Sequence, residues 1–141
     1  MPPKPKAPRP PKKPKLTATD FGRLWEAEHP TLPPTPEHHF TRPLVGDGPG
    51  IRERLAAADL HDWRFDYAWP EPWHKVAVEI DGGQWRAGGG RHNTDLDRQK
   101  GNVAAAHGWR VLHFSLPQLN KETARCLAQV ETALGYKPAT P

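Results

Sequence analysis

The chain has 141 residues, 26% of them charged and 35% hydrophobic, with a formal net charge of +4, which suits one domain around one core. Its lone cysteine, Cys126, excludes an intramolecular disulfide and a cysteine-based zinc site and agrees with a reducing, cytoplasmic setting. No apolar run is long enough to cross a membrane, and none follows the basic N-terminus as a secretory signal would require.

Residues 1–15 consist almost wholly of Pro, Lys and Arg and carry Lys4, Lys6, Arg9, Lys12, Lys13 and Lys15 without an acid. Removing those six charges from +4 leaves about −2 for residues 16–141, so the basicity belongs to the arm. Proline at this density blocks helix and sheet, and the charges repel. The expectation is an extended, polyproline-like, disordered arm. It serves either as a solubilising tail or as a clamp on phosphates through counterion release, with Lys12, Lys13 and Lys15 nearest the domain.

The domain is expected over residues 16–136, with 137–141 as a tail. Thr17 or Thr19 caps a helix over about Asp20 to Glu28, whose apolar face holds Phe21, Leu24 and Trp25. A Pro-rich loop follows, then a short strand from Glu37 to Val45, ended by Gly46-Asp47-Gly48-Pro49-Gly50. Ile51, Leu55 and Ala58 stand at helical spacing. The segments Trp63–Pro70 and Lys75–Gly83 read as strands reversing at Pro70-Glu71-Pro72.

Alternation along the second strand puts Val76, Val78 and Ile80 on one face and Ala77, Glu79 and Asp81 on the other. A hairpin centred on the prolines sets Asp66 opposite Glu79 on that second face. Three carboxylates at one sheet end repel. They form either a solvated acidic edge or a site for a divalent cation, and burial of the Val76–Ile80 strand favours the cation.

Next comes a loop with five glycines, Gly82 to His92, expected to be mobile. Asn93 or Thr94 caps a helix from Asp95 to about His107, ended by Gly108. Leu96, Lys100, Val103, Ala104 and His107 share one face of it. Lys100 either meets an anionic partner there or reaches past the helix to solvent. Trp109–Ser115 reads as a strand, and Asn120 caps a last helix to Leu134. A helix between the strands ending near Asp81 and beginning at Trp109 is a crossover, so the sheet is mixed and the class α/β.

Carboxylates with a lysine suit phosphodiester hydrolysis: the acids hold Mg²⁺, or Mn²⁺ in its place, and the lysine orients water or stabilises the transition state. Asp66, then Glu79-Ile80-Asp81-Gly82, Arg91-His92, Asp97, Lys100 and Gly108-Trp109-Arg110-Val111-Leu112-His113-Phe114 together resemble the PD-(D/E)xK nuclease superfamily. The similarity is to its small phage-type branch related to very-short-patch-repair endonucleases. It implies a restriction-endonuclease-like mixed sheet flanked by helices, and a host cytoplasm if the chain is phage-encoded. Two departures are visible: Asp81 stands where the superfamily has lysine, and Phe65 where it has proline. Some members carry the lysine on the following helix, which makes Lys100 the candidate for that role.

The layout is also similar to that of archaeal-type Holliday junction resolvases, small homodimers with a glutamate on the first helix. That resemblance makes Glu26 a catalytic candidate, with Glu28 and Glu53 as rivals. The expected catalytic set is therefore Glu26, Asp66, Glu79, Asp81 and Lys100, with Asp66, Glu79 and Asp81 on the metal. Arg86, Arg91 and His92 are expected to grip flanking phosphates. Trp85 either stacks on an unpaired base or packs in the core. The expected activity is cleavage of branched DNA, most specifically Holliday junctions. The alternatives are a mismatch-nicking or restriction-type enzyme acting on duplex DNA, and a non-catalytic DNA-binding accessory with a nuclease fold. His38-His39 is discounted as a metal pair because neighbours on a strand face opposite ways.

Overall fold

A computed structural model describes residues 2–8, 15–81 and 94–136. Residues 2–8 are exposed and without regular secondary structure. The elements run α1 (Ala18–Glu28), β1 (Thr35–His39), α2 (Arg42–Val45), α3 (Ile51–Ala57), β2 (Arg64–Trp69), β3 (Val76–Asp81), α4 (Asp95–Ala106), β4 (Arg110–Ser115), α5 (Leu116–Lys121) and α6 (Thr123–Ala133).

The four strands form one sheet in the order β1-β2-β3-β4. The first two pairings are antiparallel and β3 pairs with β4 in parallel. This is the mixed α/β sheet expected from the crossover. The Pro-bracketed reversal sets Tyr67 against Val78 and Trp69 against Val76, a register that one step further would set Asp66 against Glu79.

The two faces of the sheet are built differently. Tyr67, Trp69, Val76, Val78, Ile80 and Phe114 pack with Phe21 and Trp25 of α1, Leu119 of α5, and Cys126, Leu127 and Val130 of α6. Burying side chains of this size supplies most of the drive to fold, at roughly 1.5–3 kcal/mol for each aliphatic or phenyl group removed from water. The opposite face holds a smaller cluster of Phe40, Phe65, Ala68, Ala77, Ala104 and Trp109, with Val103 packed at its margin. Ala77 and Ala104 are short, so α4 can lie close to β3 there.

Caps account for the helix starts. Asp20 Oδ2 accepts from the Thr17 N–H at 2.6 Å and from its hydroxyl at 3.0 Å. Thr94 Oγ1 accepts from the Asp97 N–H at 3.2 Å, fixing where α4 begins.

Two segments differ from the expectation. Within 37–45 the strand stops at His39, and Arg42–Val45 forms a helical turn with Pro43 in its first turn, a position proline favours because that N–H needs no helical partner. The expected single C-terminal helix is two. Ser115 caps α5 through the Gln118 N–H at 3.1 Å. Asn120 caps nothing: it accepts from the Leu16 N–H at 2.7 Å and donates to the Leu16 carbonyl at 3.1 Å.

Candidate active site

The odd positions of β3 point away from the larger core. Val78 and Ile80 are buried within it, so Glu79 between them emerges on the α4 side. Lys100 lies one helical turn before the buried Ala104 and reaches the same place. Its Nζ donates to Glu79 Oε1 at 2.7 Å, with the two side chains only 23% and 17% exposed. The same ammonium stands 5.6 Å from the centre of the Phe65 ring, within range of its negative face. Of the two readings for Lys100, the partnered one is what the structure contains.

Alternation from Ala68 brings Asp66 to this face, and the ladder breaks beside it. Continued strictly, the β2–β3 register would set Phe65 against Ile80. Instead Asp66 Oδ2 accepts the Ile80 N–H at 2.7 Å. Strand alternation slips here: Phe65 and Ala68 lie in the same cluster although they are three apart. On the neighbouring strand Glu37 has φ +47°, unusual for a residue with a side chain. Its place in the β1–β2 register is opposite Asp66.

The result is an open pocket of about 330 Å³ lined by Glu37, Asp62, Trp63, Arg64, Phe65, Asp66, Glu79 and Lys100. Burial pushes the Glu79 carboxyl above its usual 4.5; the Lys100 hydrogen bond and charge oppose this, the charge of Asp66 adds to it, and His113 counters it. His113 is the β4 neighbour of Glu79. On the rim, Arg42 donates to both Asp62 oxygens at 3.0 and 2.7 Å, and His39 Nδ1 lies 2.9 Å from Oδ1. The Arg42 hydrogen bonds hold the Asp62 carboxyl down at about 2.

The other expected residues lie elsewhere. Asp81 is exposed at the last position of β3, beside Ser115, and does not line the pocket. Asp66, Glu79 and Asp81 are thus not drawn into one tight cluster, because Asp66 is turned to the Ile80 amide and Glu79 to Lys100. Glu26 is exposed on α1, the helix packed on the opposite sheet face. Glu53 is exposed on α3. Among the described residues, three ligating atoms come within 4.8 Å of one another at Glu28, His29 and Glu131, where His29 Nε2 pairs with Glu131 Oε1 at 3.1 Å. Lys15 is exposed beside α1. Lys12, Lys13, Trp85, Arg86, Arg91 and His92 lie outside the described residues. His38 and His39 do part company: His38 lies tilted against Trp109, ring centres 5.6 Å apart, and His39 meets Asp62.

Sequence reasoning passed over Glu37, Asp62, Trp63 and Arg64. Their convergence needs the β1–β2 pairing, which no local motif announces. His113 was legible as one letter of the Gly108–Phe114 string, without a sign that it would stand next to Glu79.

The chain is similar in structure to the catalytic domain of the homing endonuclease I-Bth0305I: TM-score 0.53 and 17% sequence identity, over 84% of this chain and 93% of that one. No protein-family model and no curated protein sequence matches it. At this identity the likeness establishes the fold. None of the described helices is long and apolar enough to cross a membrane.

Proposed function

We propose that this chain is a metal-dependent DNA endonuclease. The observation that carries the reading is the pocket shared by Asp66, Glu79 and Lys100. Its support is the likeness of the fold to a homing endonuclease catalytic domain. The donor set fits a hard cation, since Asp66 and Glu79 offer carboxylate oxygens to one open pocket. These two would hold Mg²⁺, or Mn²⁺ in its place, with Asp81 at the end of the same strand as a further candidate. Such a cation supplies an activated water and neutralises charge on a phosphate. Lys100 keeps Glu79 charged against the cost of burial and sets a positive group beside the reacting phosphate. Arg64, more than half exposed on the rim, meets the strand entering the pocket.

The finer reading is a homodimeric resolvase of four-way junctions, in which two copies supply paired cuts. A compact domain with a basic arm supports it. A second reading, cleavage of duplex DNA with sequence preference, is favoured by the homing-endonuclease neighbour. One experiment separates them: a four-way junction and a linear duplex of matching sequence, each with Mg²⁺ or EDTA, with Glu79→Gln alongside. Cutting confined to the junction supports the resolvase, and equal cutting removes it. Cutting that survives EDTA or Glu79→Gln sinks the metal mechanism. No cutting of either substrate leaves a DNA-binding protein with a nuclease fold.

A further inference from the structure

At the far end of the β2–β3 hairpin from Asp66 and Glu79 stands Trp73, 75% exposed, against 39–44% for the next most exposed large apolar residues, Leu44, Leu96 and Tyr136. Burying an indole is worth more than burying any of these, so leaving it in water is a cost the turn does not recover internally. The turn is stiff: Pro70 and Pro72 restrict φ. The N–H groups of His74 and Lys75 both donate to the Glu71 carbonyl, at 2.8 and 3.0 Å, and Lys75 has φ +44°.

The turn's one acid, Glu71, is 42% exposed but turns its buried Oε2 towards His74, 3.5 Å from Nδ1. Arg110 Nη2 lies 3.4 Å from the His74 carbonyl, and Lys75 Nζ donates to the His107 carbonyl at 2.7 Å. Lys75 is two residues from Trp73 along the chain, with its ammonium on the end of α4, and Arg110 reaches the carbonyl of the residue next to Trp73. Among the described residues neither has a carboxylate within ion-pair distance, whereas Arg23, Arg42, Arg98 and Lys100 all do.

From this juxtaposition we propose that the Trp73 turn is a second DNA contact: an unpaired base stacks on the indole while Lys75 and Arg110 hold the adjoining phosphates. A flat π face beside cations that lack a carboxylate partner is what single-stranded nucleic acid uses, tolerant of sequence because every base can stack. The inference rests on DNA being the substrate. It adds that unpaired DNA leaving the cleavage pocket is held about a strand's length away.

The test measures binding of the full chain, in EDTA, to labelled single-stranded, forked and blunt duplex DNA across a salt series. Trp73→Ala is expected to weaken single-stranded and forked DNA about tenfold, to spare blunt duplex, and to leave the melting temperature unchanged; Trp73→Phe restores binding. Arg110→Ala should flatten the dependence of log affinity on log salt by about 0.7. Unchanged affinities in Trp73→Ala overturn the proposal while leaving the nuclease reading intact. A loss of self-association by light scattering, with DNA affinity unmoved, overturns it in favour of a protein interface. Trp73-dependent binding by a protein that cuts nothing upholds the contact and removes the nuclease. Failure of the unaltered protein to bind DNA removes both.

Discussion

The two faces of β3 divide the labour of the domain. On one, Val76, Val78 and Ile80 meet a wall of aromatic and aliphatic groups from three helices. On the other, Ala77 and Glu79 meet α4 through small side chains and a half-buried ion pair. A single strand thus contributes stability by its even positions and, in the proposed function, chemistry by an odd one. The contrast implies that the two functions can be damaged separately, which the following experiments exploit.

The largest effect is expected on the apolar face. Trp25 is fully buried, stands edge-on to Trp69 at 5.1 Å and donates to the Leu32 carbonyl at 2.8 Å. Trp25→Ala should cost about 3–5 kcal/mol by chemical denaturation, while whatever fraction stays folded keeps its cleavage rate. Little change in stability would show that the face is less tightly packed than its burial implies.

On the other face, Lys100→Met should leave the Glu79 carboxylate without its partner and cost about 1–3 kcal/mol at neutral pH. The sign follows from Glu79's raised pKa. Without Lys100 the folded state holds the proton more tightly than the unfolded one, so the loss is present above the raised pKa and recedes as the pH falls through it. Adding Glu79→Gln should remove most of the loss at every pH. A cost independent of pH and unrelieved by the second substitution would mean that Lys100 acts through packing.

The smallest effect belongs to the rim. The Asp62 carboxyl, at about 2 against an ordinary 3.8, is held below its unfolded value. Its contribution is therefore complete above 3.8 and lost as the pH falls towards 2. Because the side chain is 36% exposed, solvent screening limits this to no more than about 1 kcal/mol. Asp62→Asn should lower stability by that amount at pH 6 and converge with the unaltered protein near pH 2 in acid titration.

Much of this contrast was legible before the coordinates. Alternation through Val76–Ile80 and the proline-bracketed reversal specify the strand pair, its register and the face that bears Glu79. The spacing of Lys100 and Ala104 specifies the helix face it meets. What escaped were departures from local regularity. Pro43 in a helical first turn and the Ser115–Gln118 cap are short signals that stronger patterns nearby overrode. The slip at Phe65 and the left-handed Glu37 belong to the β1–β2 pairing, which no local motif announces, whereas Asp66 shares the pocket with Glu79 as alternation along β2 specified.

The amide of Asn120 grips both backbone groups of Leu16, which gives the basic segment before it a fixed point of departure on the α5 side of the domain. Covalent geometry alone then limits its range. Residues 2–15 cannot extend beyond about 50 Å from Leu16, at no more than about 3.6 Å each. On the DNA proposed as substrate, rising about 3.4 Å per base pair, residues 2–15 could reach at most some 15 base pairs to either side.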